Sequence, residues 1–528
     1  MGKYDSFFID HFHSTKGMMG TELNQLLMKT FGIKSDNARK LIQRTTENNI
    51  IWSTKPLTFG NGQYFYFWPE SKPSKEEIKN LLKFTRPPVF RLLQLLDNCN
   101  GIISFYEGLK ITSSPEENTS SKISLLKNIV NDLAKMKFLV ERTDNSGINF
   151  ILNRLEDENC EDLYKYKMAA HKENLQTDSV FNSDLMGWLF ESNLIATYGG
   201  YRSNSNPSYG VKHNNILWDA FAYMKTTGIN PGVAASSTVK EKQTLVVLDI
   251  VISRKYTMID LESFLSRIQI NNNSITEIQR KSIPIIFYHE IDDHALNVAK
   301  KIGFLVFSLA KIYGNNISKL LQDIKSVYKH LNENFNEGIE AALYKISISG
   351  QTEKLKGLRG VLFEALMRPV FESIYPNSEF LPNKTLKHPL KDQTREFDYI
   401  ISSSNPKELI FVELKGYAGK SYINLGTSDT VSTLRYFFRS TVPLGQAYYK
   451  SDLIRDDYSI KGVFITTGNY HSECNEFIAK MDGSNLVPSR IDKSIYNGSS
   501  LLELLKKNSF DREIEIVKKY YINVAEEE

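Results

Sequence analysis

Five short segments recur in the same order along the C-terminal two-thirds of this chain. Its fold must therefore be one that a single unit can build twice. Gly187-Trp188-Leu189-Phe190-Glu191 matches Gly360-Val361-Leu362-Phe363-Glu364, and Asp219-Ala220-Phe221 matches Asp398-Tyr399-Ile400. Leu245-Val246-Val247-Leu248-Asp249 matches Leu409-Ile410-Phe411-Val412-Glu413. Ile283-Pro284-Ile285-Ile286-Phe287 matches Gly462-Val463-Phe464-Ile465. Lys311-Ile312-Tyr313-Gly314-Asn315, followed by Leu320-Leu321, matches Ser494-Ile495-Tyr496-Asn497-Gly498, followed by Leu501-Leu502. Each unit places a helix ahead of strands and then alternates a later strand with helices. That order predicts a mixed sheet with helices on both faces.

The later unit carries the chemistry. Glu396-Phe397-Asp398-Tyr399 opens one strand, and the apolar run Leu409 to Val412 leads into Glu413-Leu414-Lys415-Gly416 on the next. Alternation puts Glu413 and Lys415 on one face of their strand, within reach of Asp398. Two carboxylates brought together repel, and a divalent cation relieves that repulsion; hard oxygen ligands suit Mg²⁺, with Mn²⁺ as a substitute. Such a metal lowers the pKa of bound water beside a phosphodiester. Lys415 would position or deprotonate the attacking water and offset developing charge. An ordinary strand end with an exposed ion pair would read the same way over Val412-Glu413-Leu414-Lys415-Gly416 alone.

Residues 345–510 resemble the PD-(D/E)XK, restriction-endonuclease-like nuclease superfamily, on Glu364, Asp398, Glu413-Leu414-Lys415 and Gln446. The resemblance implies metal held by Asp398, Glu413 and the Leu414 carbonyl, with Glu364 completing the shell from its helix. It also implies support from Gln446, although Tyr449 follows it by three residues where this pattern has four. Arg435 and Arg439, one helical turn apart, would meet phosphates.

The earlier unit replaces Glu413-Leu414-Lys415 with Asp249-Ile250-Val251, so it lacks the lysine; Lys255 lies four positions too far along. It reads as a degenerate copy, in which Glu191, Asp219 and Asp249 retain a weak capacity for a cation. Gly228, Pro231 and Gly232 suggest an insertion between its acids. His289, Glu290, Asp292, Asp293 and His294 read as a capped polar loop rather than a zinc site, which would want a fuller His/Cys set.

Upstream, Thr21 to Phe31 is an apolar-periodic helix ended by Gly32, and Ser35 or Asp36 caps a basic helix carrying Arg39, Lys40 and Arg44. A hairpin signal follows: Ile50 to Trp52, a turn at Gly60-Asn61-Gly62, and Tyr64 to Phe67. The set resembles a winged helix-turn-helix, with Arg39, Lys40 and Arg44 set against double-stranded DNA. A weaker version recurs over 84–152, in Val89 to Leu96, Ile123 to Lys137, and two strands around Asp144-Asn145-Ser146-Gly147.

With 528 residues the chain exceeds one core. The expected class is multidomain α/β plus α+β: winged helices over 1–78 and 79–157, a degenerate nuclease-like domain over 158–335, and an active one over 336–528. The net charge of +4 permits nucleic-acid binding without demanding it. Three scattered cysteines, no bilayer-length apolar run and no signal-peptide core fit a cytoplasmic protein with no membrane partner. The expected activity is Mg²⁺-dependent hydrolysis of DNA phosphodiesters by an endonuclease, with restriction or antiviral defence as the family analogy. A catalytically inactive DNA-binding scaffold and an RNA-directed nuclease are the rivals. One site cuts one strand, so double-strand cleavage implies a homodimer or a partner nuclease. No Gly-rich phosphate loop is present, so any ATPase would be a separate subunit.

Overall fold

The computed structural model describes residues 3–15, 17–117, 124–155, 160–203, 209–224, 244–273, 282–314, 317–329, 335–348, 355–417, 421–450 and 457–522. The suggested insertion around Gly228, Pro231 and Gly232 lies outside the described residues, as do Asn315 and Ile123, the first residue of the helix expected over Ile123 to Lys137. The described chain is mixed α/β with several separate sheets.

The N-terminal region runs helix, strand, helix, helix, strand, strand: Lys3–Ser14, Met18–Met19, Gly20–Phe31, Ser35–Glu47, Trp52–Ser53 and Phe65–Phe67. Its sheet is antiparallel, with the last strand between the other two. Gly32 ends the second helix at φ +63°, in open space, the left-handed geometry that favours glycine. The third helix buries Ala38, Ile42 and Thr45, a spacing of four and three that follows the helical period and leaves Leu41 only half-buried. The first helix was not legible in the sequence, yet its Phe8 and Phe12 complete the small core with Leu23 and Leu27.

The same order returns after the helix Lys75–Thr85: helix Pro87–Asn98, strand Ile102–Ser104, helices Phe105–Thr112 and Leu126–Lys135, strands Leu139–Thr143 and Asn149–Asn153. Here too the last strand lies centrally. Ser104 caps the Phe105–Thr112 helix in a reciprocal box with Glu107. Glu107 Oε2 also lies 2.6 Å from His171 Nε2 on the long helix Glu161–Val180, joining this module to the next unit. Burial alone would raise the Glu107 carboxyl, but His171 outweighs it and holds the group near 2. A depressed carboxyl contributes stability that is complete above its unfolded value and lost as pH falls through the folded one. Between about pH 4.5 and 2 the loss expected from this group is about 3 kcal/mol. Urea midpoints measured down that range should fall less steeply in Glu107→Gln than in the parent.

The two larger units each hold a five-stranded sheet with one order and one pattern of direction. In the first the strands are Thr197–Tyr201, Ala220–Met224, Thr244–Tyr256, Ser282–Ile291 and Leu305–Ser308. In the second they are Glu379–Lys387, Thr394–Ser404, Lys407–Lys415, Ser459–Thr466 and Ile495–Tyr496. In both, the second strand runs antiparallel to its two neighbours, the first and the central strand, and the last two run parallel to the central one. The central strands are apolar over most of their length because both faces are covered. Val246, Leu248 and Ile250 share one core with Ile410, Val412 and Leu414, while Leu245, Val247, Leu409 and Phe411 face cores private to each unit. The units are therefore fused through a common apolar layer. Asp184 of the first unit adds a polar tie: its carboxylate accepts from Gly357 N (2.7 Å) and Leu358 N (3.0 Å) at the start of helix Lys356–Ile374.

The structure corrects two of the five matched segments. Lys311-Ile312-Tyr313 ends a short helix, Leu309–Tyr313, whereas Ile495–Tyr496 is a strand; the first unit's outer strand is Leu305–Ser308. The helix packed along the first central strand is Glu161–Val180, whereas Asn182–Glu191, which carries the Gly187 to Glu191 match, packs on the edge strand.

Candidate functional site

The cleft of interest opens where the second unit's central strands end. Tyr399 pairs with Val412, and extending that register by one residue brings Asp398 beside Glu413. The Leu414 amide donates to Asp398 Oδ2 at 2.6 Å, and Lys415 Nζ lies 2.6 Å from Glu413 Oε1. The Glu413 and Lys415 side chains are only 17% and 18% exposed, so this ion pair is not a solvated strand-end pair. Glu364 reaches the same cleft from the helix Lys356–Ile374, which Tyr399 holds by donating its hydroxyl to the Glu364 carbonyl at 3.0 Å. The cleft measures about 530 Å³ and is lined by Glu364, Glu396, Asp398, Glu413 and Lys415.

The electrostatics are those of crowded acid. Burial, with Glu413 second, pushes the Asp398 carboxyl up to about 8. Burial and Asp398 raise Glu364 well above the usual carboxylate range. Burial opposes the Lys415 ammonium, but Glu413 and Asp398 outweigh it and hold the group charged. A lysine so held is a hydrogen-bond donor and a positive charge; it lacks the lone pair a base requires.

Among the described residues no three His, Cys, Asp or Glu side chains gather at ligating distance. Asp398 is turned to the Leu414 amide and Glu413 to Lys415. The donor set itself suits a hard divalent cation, because four carboxyl side chains, Glu364, Glu396, Asp398 and Glu413, line one cleft. Asp398, Glu413 and Glu364 are the residues that could hold it.

Gln446 does not join this set. Val442, Gly445 and Tyr449 turn toward the sheet, and a Cβ on Gly445 would meet the Phe411 ring at 2.5 Å. The helix thus runs away from the acids, and Gln446 lines a separate cleft of about 370 Å³ with Ser459, Ile460 and Lys461. Those residues begin the strand that ends at Thr466 beside Lys415, so Gln446 sits at the opposite end of the sheet. The preceding π-helical turn, Phe437–Thr441, presents Phe437 and Thr441 to the acidic cleft instead, with Tyr436 just before it. Arg435 and Arg439 are exposed on the outer side of this segment and do not line the cleft. Arg395, which sequence reading passed over, does line it, with its guanidinium 5.1 Å from the Tyr436 ring. Its position three residues before Asp398 on the same strand was the available signal.

The first unit repeats the backbone geometry and fills the site. The Ile250 amide donates to Asp219 Oδ2 at 2.7 Å, the counterpart of the bond from Leu414 to Asp398. Val251 stands where Lys415 stands, but a lysine arrives from another module. Lys110, on the Phe105–Thr112 helix, places its Nζ 2.5 Å from Asp219 and 3.0 Å from Asp249. Arg267 lies 2.6 Å from Asp249 and Arg202 3.4 Å from Asp219, while Tyr106 and Tyr256 donate hydroxyls to the same two acids. A gap of only about 20 Å³ remains. Glu191 is exposed at the end of its helix and is not among the residues around this gap; besides Asp219 the acids there are Glu107, Asp260 and Asp178, the last from the helix that packs on the central strand. Three basic side chains already surround Asp219 and Asp249, so the expected weak cation site does not fit.

Other expected site residues fall at the surface. Arg39, Lys40 and Arg44 are exposed along the outer face of helix Ser35–Glu47. Lys255 is exposed, and Arg254 pairs with Asp260 at 2.6 Å. Asp292 caps the helix Asp293–Lys301 by accepting from Ala295 N. No described helix is long and apolar enough to cross a membrane. Compared with known protein families, curated proteins and solved structures, the chain has no match.

Proposed function

We propose that the protein is a metal-dependent nuclease of the PD-(D/E)XK type, acting on DNA through a single site in its C-terminal unit. The observation that carries this reading is the convergence of Glu364, Asp398, Glu413 and Lys415 on one cleft with raised carboxyl pKa values. A divalent cation, Mg²⁺ by the chemistry of its oxygen donors, would supply Lewis acidity and an activated water there. Glu364, Asp398 and Glu413 would supply its oxygen ligands, and Lys415 offers a fixed ammonium to the phosphoryl oxygens of the substrate. Supercoiled plasmid DNA should be nicked with Mg²⁺ and left intact with chelator. Nicking confined to structured RNA would move the reading to an RNA-directed enzyme. Binding without any cleavage would move it to a DNA-binding scaffold.

The two N-terminal helix-and-hairpin modules are read as winged helices that hold duplex DNA. Support comes from the exposed Arg39, Lys40 and Arg44 on one helix. Replacing all three with alanine should weaken duplex binding and flatten its dependence on salt. Each lost phosphate contact lowers the log–log slope by about 0.9. Anisotropy titrations across a salt series would read this, and an unchanged slope would remove this helix from the interface.

A further inference from the structure

We infer that the first α/β unit, itself filled, forms the substrate-facing wall of the second unit's cleft, where Tyr201 stacks the base of an unpaired nucleotide. This rests on the nuclease reading above and names the form of substrate the site accepts. Ser183, Tyr201 and Ser203 of the first unit line the same cleft as Glu364, Asp398, Glu413 and Lys415. Tyr201 ends the edge strand Thr197–Tyr201 and is 38% exposed. Its strand is tightly seated, since a Cβ on Gly199 would meet the Phe221 ring at 2.1 Å. The wall is also fixed relative to the acids, through the common core and through Asp184 at the start of the Glu364 helix.

The lining chemistry matches one strand of nucleic acid. An aromatic ring offers a stacking surface to any base. Lys356 and Arg395, on the same cleft, offer cations to phosphates, and the Arg395 guanidinium rests over Tyr436. At about 530 Å³ the cleft is of a size that encloses a small ligand. That is on the order of one or two nucleotides and too small for a base-paired segment, so the nucleotide enters single-stranded or lifted from its duplex.

The test uses the full chain carrying Glu413→Gln, without metal, and a fluorescent single-stranded oligonucleotide containing 2-aminopurine. Stacking on Tyr201 should quench the probe. Tyr201→Ala should abolish the quench and weaken binding by about five- to a hundredfold, the range set by one stacked base, while Tyr201→Phe keeps both. In the cleaving enzyme, Tyr201→Ala should raise KM more than it lowers kcat. An unchanged quench and affinity in Tyr201→Ala, or no quench by the parent, would overturn the inference. Lys415-dependent nicking indifferent to Tyr201 sinks this inference alone; Tyr201-dependent quenching without nicking sinks only the nuclease reading.

Discussion

Lys415→Ala should lower the rate of DNA cleavage by about a thousandfold while leaving duplex affinity nearly unchanged. The size follows from the role the geometry gives this side chain. Its ammonium lies 2.6 Å from Glu413, largely removed from solvent, and is held charged by Glu413 and Asp398. A fixed positive charge in a poorly solvated cleft acts on charge that develops at the phosphorus, and little reorganisation accompanies the reaction. The proposed function places duplex affinity in the N-terminal modules, and on that reading losing one ammonium should alter the rate and not the binding. The substitution also leaves Glu364, Asp398 and Glu413 without their nearest cation, so thermal melting must accompany the rate measurement. A variant that melts like the parent, binds DNA like the parent and still nicks at the parental rate would refute the site. Glu413→Gln gives an independent check, because it removes a carboxylate and relieves the acid crowding rather than worsening it.

Much of the larger units was legible because each central strand is buried on both faces. Burial of that kind writes a continuous apolar run, which Asp249 interrupts in the first unit before Ile250, Val251 and Ile252 resume it, and which Glu413 interrupts near its end in the second. Helix assignments were less secure, since Gly187 to Glu191 and Gly360 to Glu364 look alike in sequence while their helices pack on different strands. Gln446 failed for a related reason: a π-helical turn and the close contact of Gly445 with Phe411 set which face of that helix meets the sheet. Contacts between modules left no mark at all. Nothing in Phe105 to Thr112 announces that Lys110 will reach Asp219, more than a hundred residues away. The wall contributed by Tyr201 is invisible for the same reason, because it exists only once two units share a core.

Lys110→Met should destabilise the protein by about 3 kcal/mol, at the lower end of what breaking a buried ion pair costs. The ammonium is the nearest cation to Asp219, at 2.5 Å, and both partners are almost wholly buried. Arg267 stays 2.6 Å from Asp249 and Arg202 stays 3.4 Å from Asp219, so the remaining charges still balance and the cost is not the full price of a bare buried carboxylate. Burial alone would raise the Asp219 carboxyl; Lys110 and Arg202 outweigh it and hold the group well below the usual carboxylate range. A depressed carboxyl of this kind stabilises fully above its unfolded value and loses its contribution as pH falls through the folded one. Without Lys110 that loss should begin at higher pH, so acid unfolding of the variant should start earlier than in the parent. Asp219→Asn in the same chain should recover part of the loss, because the neutral amide still accepts from the Ile250 amide and leaves less charge uncompensated. Urea midpoints for the four members of this cycle would give the coupling directly. Two single variants whose effects simply add would mean that the cluster does not hold the second N-terminal module to the first unit. Strong coupling, with Lys415→Ala leaving stability nearly intact, would separate a cationic lysine that locks a filled site from one that serves an open cleft.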